Sequence, residues 1–245
     1  GPFVNNQGFF DPQASGPGSH TVYYQYTDPN GCFGEDSVSL NLSPAPIASF
    51  TLSDTAGCPG LNISASSTTD PTLLHTWLLN DSIIATGLSS NFSLSNNSPI
   101  QDEVYSLKLV VAQAGLNCSD TLSRNITIYP KPLAAFNLPD SVCAGDTLNL
   151  NSISQFKGSQ LDTLLWTASS SALSIIDPND GNTEIAFPDN QGATSTTYQI
   201  SLFIRSVDAC SDTLTQSITV HPRPSASFTL PANACGPFTL QASDN

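Results

Sequence analysis

Six cysteines are the residues of this 245-residue chain with the clearest chemical potential, and they fall into two regular series. The first series is Cys58, Cys143 and Cys235, and the second is Cys32, Cys118 and Cys210. The intervals are 85 and 92 residues in the first series and 86 and 92 residues in the second. No Cys-x-x-Cys pair occurs and no histidine lies within four residues of a cysteine, which disfavours a zinc site. Regular cysteines in an acidic chain instead indicate disulfides in an oxidising, extracellular setting, with free thiols as the alternative.

The remaining titratable side chains do not form a catalytic or anion-binding pattern. The histidines (His20, His75 and His221) lie at unrelated positions, and no motif of a nucleophilic enzyme, metalloprotease or phosphate-binding loop occurs. Six basic residues are scattered singly among 20 acidic ones, for a formal net charge of −14. Without a basic patch the chain cannot neutralise a row of phosphates or bind an anionic membrane surface. We therefore predict a protein that is not an enzyme, needs no cofactor, and neither binds nucleic acid nor inserts into a membrane.

The cysteines belong to a longer sequence repeat. The motif Pro-x-Pro-x-Ala-x-Phe begins at Pro44, Pro130 and Pro222, each time 12 residues after a cysteine of the second series. This register predicts two complete repeats, preceded by the C-terminal part of one and followed by the N-terminal part of another. The predicted boundaries are 1–43, 44–129, 130–221 and 222–245. We expect the chain to be a stretch of a longer protein.

Each complete repeat contains about seven short segments in which apolar and polar residues alternate between turn residues. The clearest are 105–111 in the first complete repeat and 198–204 in the second. Such alternation is typical of half-buried strands, and no window carries a helical stripe. Trp77 and Trp166 fall in the third strand of each complete repeat, where a tryptophan fills a sandwich core. The pattern predicts an all-β protein of tandem immunoglobulin-like antiparallel β-sandwiches in a rod.

Short motifs at the start and end of each repeat carry a resemblance to a known class of domain. They are the Pro-x-Pro-x-Ala-x-Phe start, Cys58-Pro-Gly60, Cys143-Ala-Gly145, Cys118-Ser-Asp-Thr-Leu122 and Cys210-Ser-Asp-Thr-Leu214. The sequence resembles tandem polycystic-kidney-disease-type (PKD-like) and related Ig-like repeats of large surface proteins of Bacteroidota. The resemblance implies a type IX-secreted surface adhesin, of the kind that includes gliding-motility adhesins. The usual Trp-x-Phe-Gly-Asp-Gly signature of PKD domains is replaced by Trp77-Leu-Leu-Asn-Asp81 and Trp166-Thr-Ala-Ser.

The sandwich topology favours disulfides between neighbouring repeats over disulfides within one repeat. Cys58 is expected in the loop between the first two strands and Cys118 in the loop before the last strand, at opposite ends of a domain. A strand of nine or ten residues is about 30 Å long, whereas a disulfide joins Cα atoms about 6 Å apart. The short 130–132 linker would instead bring Cys58 beside Cys210, which we predict as its partner. The other cysteines are predicted to pair with domains outside this segment: Cys32, Cys118, Cys143 and Cys235.

Eight copies of Asp, then Ser or Thr, then an apolar residue resemble the O-glycosylation motif of Bacteroidota. The acceptors would be Ser37, Thr55, Ser82, Thr121, Ser141, Thr147, Thr163 and Thr213. The alternative is that each Asp starts a strand through local side-chain hydrogen bonds to the backbone. The oxygen-rich segment 177–182 is a possible calcium loop, but it lacks EF-hand spacing, and a plain turn is favoured.

These features predict a structural stalk or filament segment of a cell-surface adhesin, which spaces a binding tip from the cell. Its partners would be the neighbouring repeats of the same chain. One alternative is a module that binds surface polysaccharide or associates laterally with itself, for which Tyr23 and Phe33 are the aromatic residues least accounted for. Another is a spacer in a secreted multidomain enzyme.

Overall fold

The computed structural model describes residues 4, 8–158, 161–224 and 236, which form one short helix, α1 (Pro12–Ser15), and 17 strands. The strands before residue 130 are β1 (Gly18–Thr27), β2 (Phe33–Leu42), β3 (Phe50–Leu52), β4 (Ala56–Gly57), β5 (Leu61–Ser67), β6 (Leu74–Leu79), β7 (Ser82–Thr86), β8 (Ser89–Leu94), β9 (Glu103–Ala112) and β10 (Ser119–Ile128). The later strands are β11 (Ser141–Cys143), β12 (Thr147–Asn151), β13 (Leu161–Ala168), β14 (Ser174–Ile175), β15 (Asn182–Ala186), β16 (Thr196–Ser206) and β17 (Ser211–His221). The predicted all-β fold of tandem Ig-like sandwiches is confirmed.

The first two strands form an antiparallel ribbon in which Gly18 lies opposite Leu42 and Thr27 lies opposite Phe33. Side chains alternate between its two faces, because successive strand residues point in opposite directions. Tyr24 and Tyr26 share one face and are both more than half exposed. The ribbon therefore presents aromatic side chains to solvent.

Residues 44–129 form two sheets with the strand orders β4-β10-β9-β6-β7 and β3-β5-β8. The long strand β9 runs antiparallel to β6, and the two-residue strand β4 runs parallel to the end of β10. Every second residue of β9 faces the interior, so Leu107, Leu109 and Val111 are fully buried. This is the alternation that the sequence predicted for 105–111.

Residues 130–221 repeat the arrangement, with the strand orders β11-β17-β16-β13 and β12-β15-β14. The short strand β11 runs parallel to the end of β17, as β4 does to β10. Ile200, Leu202 and Ile204 of β16 are fully buried, and they join a single hydrophobic core with Phe136 and Trp166.

An aromatic pair occupies the interior of each of these segments. The ring of Phe50 meets Trp77 edge-on with centroids 5.3 Å apart, and Phe136 meets Trp166 in the same way at 5.0 Å. Each indole N–H donates a hydrogen bond of 2.9 Å to a backbone carbonyl, that of Gly87 or Asp180. Both tryptophans therefore serve as core residues, and the phenylalanine of Pro-x-Pro-x-Ala-x-Phe is the ring that packs on them.

An aspartate clamp holds the start of each complete repeat against its last strand. The amide of Ala48 donates to Asp120 Oδ2 at 2.7 Å, and the amide of Ala134 donates to Asp212 Oδ2 at 3.0 Å. Each alanine comes from Pro-x-Pro-x-Ala-x-Phe and each aspartate from Cys-Ser-Asp-Thr-Leu. The clamp is thus the physical link between the two repeated motifs.

The chain divides into two compact units. The first comprises Gly1–Ser53, Ser64–Asn91 and Ser106–Arg124, and contains the β1–β2 ribbon and the Phe50–Trp77 pair. The second comprises Asp54–Ile63, Phe92–Tyr105 and Asn125–Asn245. The second unit therefore contains the 130–132 linker together with residues on both sides of it.

Removal of the phenylalanine ring from the second aromatic pair should strongly destabilise residues 130–221. We expect Phe136→Ala to lower the free energy of unfolding by about 3–5 kcal/mol, because it leaves a cavity against Trp166. Phe33→Ala is the matched control, since Phe33 is largely exposed, and it should change stability by less than about 0.5 kcal/mol. Urea unfolding followed by tryptophan fluorescence measures both. Equal effects of the two substitutions would contradict the assignment of Phe136 to the core.

The aspartate clamp should make stability depend on pH in the acid range. Partial burial disfavours ionisation of Asp212, but hydrogen bonds from Lys131 and Ala134 outweigh it and hold the pKa of Asp212 below its ordinary 3.8. Because the folded pKa is lower than the unfolded one, the ionised carboxylate stabilises the fold above about pH 4, and this contribution disappears as the pH falls through the folded value.

We expect Asp212→Asn to lower stability by about 1 kcal/mol at neutral pH and to flatten the loss of stability below about pH 4. Thermal unfolding of both proteins between about pH 2 and pH 7 measures this difference. Asp189→Asn is the control, because Asp189 is exposed and accepts its hydrogen bond from Gln191, two residues away. An Asp212→Asn profile parallel to that of the unaltered protein would contradict the clamp.

Candidate functional site, a disulfide joint

A disulfide joins Cys58, which follows β4, to Cys210, which precedes β17. The two residues are 152 positions apart in the sequence, and their Cα atoms are 5.5 Å apart. This is the pairing predicted from the sandwich topology. It connects segment 44–129 covalently to segment 130–221, and both cysteines belong to the second compact unit. We call this disulfide and the residues around it the joint.

Two backbone contacts bring these cysteines together beside the linker. The amide of Tyr129 donates to the carbonyl of Gly57 at 2.9 Å, which fixes the end of β10 next to Cys58. The clamp fixes Ala134 to Asp212, two residues after Cys210. Four residues, 130–133, separate the two contacts along the chain. Because each contact lies within two residues of a cysteine, the short linker holds the thiols within bonding distance.

Lys157 forms a charged cluster across the joint. Its Nζ lies 2.8 Å from both carboxylate oxygens of Asp102 and 3.6 Å from Asp208 Oδ2. It also lies 5.6 Å from the centre of the Tyr129 ring, within the range of a cation–π interaction. Hydrogen bonding to Asp102 is the main cause that raises the pKa of Lys157, so the ammonium is charged at neutral pH.

The charged cluster continues into the disulfide through the backbone. The carbonyl oxygen of Asp208 lies 3.9 Å from the sulfur of Cys58 and 3.9 Å from the sulfur of Cys210. Ala209, between Asp208 and Cys210, has a left-handed φ of 65° and donates its amide to Ser206 at 2.9 Å. This tight turn places the Asp208 carboxylate near Lys157 and the Asp208 carbonyl against the disulfide.

Sequence reasoning found the two cysteines but missed the charged residues of the joint. Lys157 and Asp102 are 55 residues apart and belong to no repeated motif, so no local signal marks them. Asp212 was recognisable only as part of two local motifs, Cys-Ser-Asp-Thr-Leu and Asp-Thr-apolar. Its partner is a backbone amide, which any residue other than proline supplies.

Two other cysteines occupy positions in their own segments equivalent to those of the two joint cysteines. Cys143 lies opposite His221 at the end of β17, as Cys58 lies next to the end of β10. The carbonyl of Cys118 accepts from Gln113 at 3.0 Å, as that of Cys210 accepts from Ser206 at 2.8 Å. Within the described part of the chain Cys118 and Cys143 are free, as is the exposed Cys32. Cys235 lies outside the described residues.

The predicted hydroxyl acceptors lie mostly on the surface. Seven of the eight are exposed: Ser37, Thr55, Ser82, Thr121, Ser141, Thr147 and Thr213. Thr163 is half-buried, and its hydroxyl donates to Asp162 at 3.0 Å and lies 3.2 Å from Arg205 Nη2. The neighbouring aspartates do more than start strands locally, because Asp120 and Asp212 bind backbone amides more than 70 residues away.

The segment 177–182 adopts a turn stabilised by its own side chains. Asp177 accepts from the amide of Asn179 at 3.1 Å, and Asp180 accepts from that of Asn182 at 3.0 Å. The backbone of this turn packs on the core tryptophan, since the amide of Trp166 donates to Pro178 O at 2.7 Å. Across the described residues, no group of three or more His, Cys, Asp or Glu side chains is arranged to hold a metal ion. A helix long and apolar enough to cross a membrane is likewise absent from that part of the chain.

No protein-family model matches the sequence, and no curated protein matches it. Solved structures with a similar fold include fibronectin(III)-like modules of Clostridium thermocellum CbhA, at 12% identity, covering 71% of this chain and 94% of that one, with a TM-score of 0.31. The titin domains I67–I69, in an E-to-A mutated variant, are 16% identical, with coverage of 83% and 74% and a TM-score of 0.36. Drosophila N-cadherin EC1-4 is also 16% identical, with coverage of 85% and 58% and a TM-score of 0.44.

Proposed function

We propose that this chain is a structural segment of an extracellular stalk or filament, in which disulfides lock successive Ig-like repeats to one another. The observation that carries the proposal is the Cys58–Cys210 disulfide, which crosses the linker between two sequence repeats. A disulfide between repeats suits a protein that holds another domain at a set distance and in a set orientation. The stalk would space a binding tip from the cell, as in a large surface adhesin.

The linker and the disulfide both oppose bending at the joint. Pro130 and Pro132 fix the backbone φ and favour an extended chain, which makes a short linker semi-rigid. A disulfide on a second path adds another connection between the same two segments. A joint with two connections resists hinge motion more strongly than a single flexible linker does.

The same joint can be repeated along a longer chain. Cys118 stands on the entry side of segment 44–129 and Cys143 on the exit side of segment 130–221, in positions equivalent to Cys210 and Cys58. Each would bond to a preceding or following repeat. Cys32 and Cys235 continue the same intervals and would do likewise. The neighbouring repeats of the same chain are therefore the partners in this proposal.

The surface composition supports an extracellular and cell-surface role. The net charge of −14 opposes aggregation and gives few attractive contacts with other anionic surfaces. The seven exposed Asp-Ser and Asp-Thr acceptors are accessible to a glycosylating enzyme. Glycans at these positions would add a hydrated layer to the stalk.

Removal of the disulfide should loosen the joint without unfolding the repeats. We expect Cys58→Ser to broaden the distribution of maximum dimensions measured by small-angle X-ray scattering, because the Pro-x-Pro linker alone would connect the segments. Cys143→Ser is the matched control, since Cys143 is free in the described part of the chain, and its distribution should equal that of the unaltered protein.

Peptide mapping of the same unreduced samples establishes the chemistry. Trypsin followed by a protease that cleaves before aspartate separates Cys58 from Cys32 and Cys210 from Cys235, because Asp36, Asp54, Asp208 and Asp212 lie between or beside them. The unaltered protein should yield a peptide pair that contains Cys58 and Cys210. A free Cys58, or scattering profiles that do not differ between Cys58→Ser and Cys143→Ser, would refute the locked joint.

A second candidate function, carbohydrate binding, is favoured by the aromatic residues of the β1–β2 ribbon. Tyr24 and Tyr26 are exposed on one face, and Tyr23 and Phe33 are exposed on the other. Rows of exposed aromatic rings can stack on sugars. However, when β1 and β9 are aligned at their last residues, Thr27 and Ala112, Tyr24 and Tyr26 correspond to Leu109 and Val111. Both of those residues are buried, which indicates that the two tyrosines are core residues in a complete repeat.

A glycan array separates these two functions. A structural stalk should show no sugar binding above background, and Tyr24→Ala should behave like the unaltered protein. Reproducible binding that Tyr24→Ala abolishes, and that the exposed Ile83→Ala control retains, would favour the carbohydrate-binding module.

A further inference from the structure

We propose that Lys157 selects the disulfide partner of Cys58, so that this joint forms between the correct two repeats. The inference rests on the proposed covalent joint and adds the means by which one cysteine is chosen among several. The selecting contacts are the ion pairs of Lys157 with Asp102 and Asp208 and its position over the ring of Tyr129.

Selection is needed because the candidate partners look alike in their immediate sequence. Cys118-Ser-Asp-Thr-Leu122 and Cys210-Ser-Asp-Thr-Leu214 are the same five residues. Each motif leads into the last strand of its repeat, and in each the aspartate accepts a hydrogen bond from an alanine amide. A strand length separates Cys58 from Cys118 once segment 44–129 has folded, but no such separation holds in a reduced chain that is still folding, and there the local motif does not distinguish Cys118 from Cys210. Residues outside the motif must supply the difference.

Lys157 connects the two sides that the disulfide joins. Asp102 and Tyr129 belong to segment 44–129, like Cys58, whereas Lys157 and Asp208 belong to segment 130–221. The bidentate contact with Asp102 at 2.8 Å is the charge-assisted type, which is stronger than a neutral hydrogen bond. All three charged side chains are less than two-fifths exposed, so water screens them only in part.

The cluster also determines where the thiol of Cys210 stands. Asp208 pairs with Lys157 through its carboxylate, and its carbonyl contacts both sulfurs at 3.9 Å. One residue, Ala209, separates it from Cys210. When Lys157 engages Asp102, the Asp208–Cys210 turn is therefore brought to Cys58.

The equivalent positions in the neighbouring repeat lack these charges. The two repeats can be aligned at a backbone pair that both contain, Phe50 with Ser67 and Phe136 with Ser152. Thr72 lies five residues after Ser67, and Lys157 lies five residues after Ser152, so Thr72 is the equivalent of Lys157. Leu116 stands two residues before Cys118, where Asp208 precedes Cys210. The face next to Cys118 thus has neither the cation nor the second carboxylate. Neither Thr72 nor Leu116 carries a charge that could replace Lys157 or Asp208.

The far end of segment 130–221 differs from the Cys58 side in the same way. Ser195 precedes Tyr198 by three residues, as Asp102 precedes Tyr105, and His221 replaces Tyr129 before the Pro-x-Pro motif. These two side chains contact each other, with Ser195 Oγ 2.8 Å from His221 Nδ1. A carboxylate paired to a lysine therefore distinguishes the Cys58 joint from the surfaces that carry Cys118 and Cys143.

Bond formation needs an oxidant, for which oxidised glutathione is the probe. One cysteine thiolate attacks the glutathione disulfide and releases one reduced glutathione. The second cysteine thiolate then attacks the mixed disulfide and releases another. Two thiols of the protein are oxidised and one glutathione disulfide is reduced, and the two protons pass to the released thiolates or to buffer.

The test is oxidative refolding of the full chain from the reduced, denatured state in a glutathione redox buffer. Free thiols are alkylated after an acid quench, and the two-protease digest gives the share of Cys58 bonded to each partner. We expect Lys157→Met to lower the ratio of Cys58–Cys210 to all other Cys58 pairings by roughly three- to ten-fold. Lys157→Arg should restore most of that ratio. Lys108→Met is the control, since Lys108 pairs with Asp81 within the first compact unit and with no residue of the joint, and it should match the unaltered protein.

Salt gives a second readout, in which the unaltered protein alone can refute the proposal and Lys157→Met serves as the comparison. About 1 M sodium chloride should lower the Cys58–Cys210 ratio of the unaltered protein and leave that of Lys157→Met unchanged, because salt screens the ion pairs. An unaltered ratio in Lys157→Met, or no effect of salt on the natural chain, would refute selection by Lys157 while the joint itself stands. Absence of Cys58–Cys210 in the natural chain would refute the joint and the selection together.

Discussion

The hydrogen bond from the Ala134 amide to the Asp212 carboxylate sets the geometry on which the joint depends. It fixes the point where segment 130–221 begins relative to the point where its last strand begins. Cys210 lies two residues before Asp212, so the same bond places that cysteine beside the incoming linker. On the other side of the linker, the Tyr129 amide binds Gly57 next to Cys58. Two backbone contacts and four linker residues thus hold Cys58 and Cys210 within reach of each other.

The scarcity of cations in this chain gives each one a definite structural position. Five of the six basic residues contact aspartates: Lys108, Lys131, Lys157, Arg205 and Arg223. The sixth, Arg124, lies 5.3 Å from the centre of the Phe50 ring. Exposed ion pairs contribute little to stability when they stand alone. Acidic residues are in large excess here, however, so acidic surfaces repel each other unless a cation lies between them. The position of a single lysine therefore determines which two surfaces can pack together.

The sequence determined the core strands far better than the edges and the joint. Strands such as β9 and β16 alternate clearly between apolar and polar residues, because one face of each strand is buried. The short strands β4 and β11 have two and three residues, too few for alternation, and they exist because a neighbouring last strand offers free backbone groups. The strand β7 also shows no alternation, since its residues Ser82–Thr86 are mostly exposed.

The same difference holds for the candidate site, where the sequence predicted the cysteines but not the charged residues around them. The cysteines were visible because they recur in register, and the topology of a sandwich was enough to choose Cys210 as the partner of Cys58. Lys157 and Asp102 belong to different segments and meet only where the two come together, so their pairing leaves no periodic trace. Sequence patterns show which residues of one strand are buried, whereas the joint is made of residues from several strands that are distant in the sequence.

The length of the last strand explains why the two cysteines of segment 130–221 do not bond each other. In segment 130–221, Cys210 precedes the first residue of β17 and Cys143 lies opposite its last residue, His221. A strand of 11 residues separates them, which at about 3.3 Å per residue is several times the reach of a disulfide. Neither cysteine can bond the other, so each is available to a different neighbour. The constant interval of 12 residues from cysteine to Pro-x-Pro matches the length of this strand, because the 11 residues of β17 lie between Cys210 and Pro222. An insertion within it would shift the alternation that buries Ile218 and Val220 and move the cysteine away from the linker, which couples the packing of each repeat to the position of its joint.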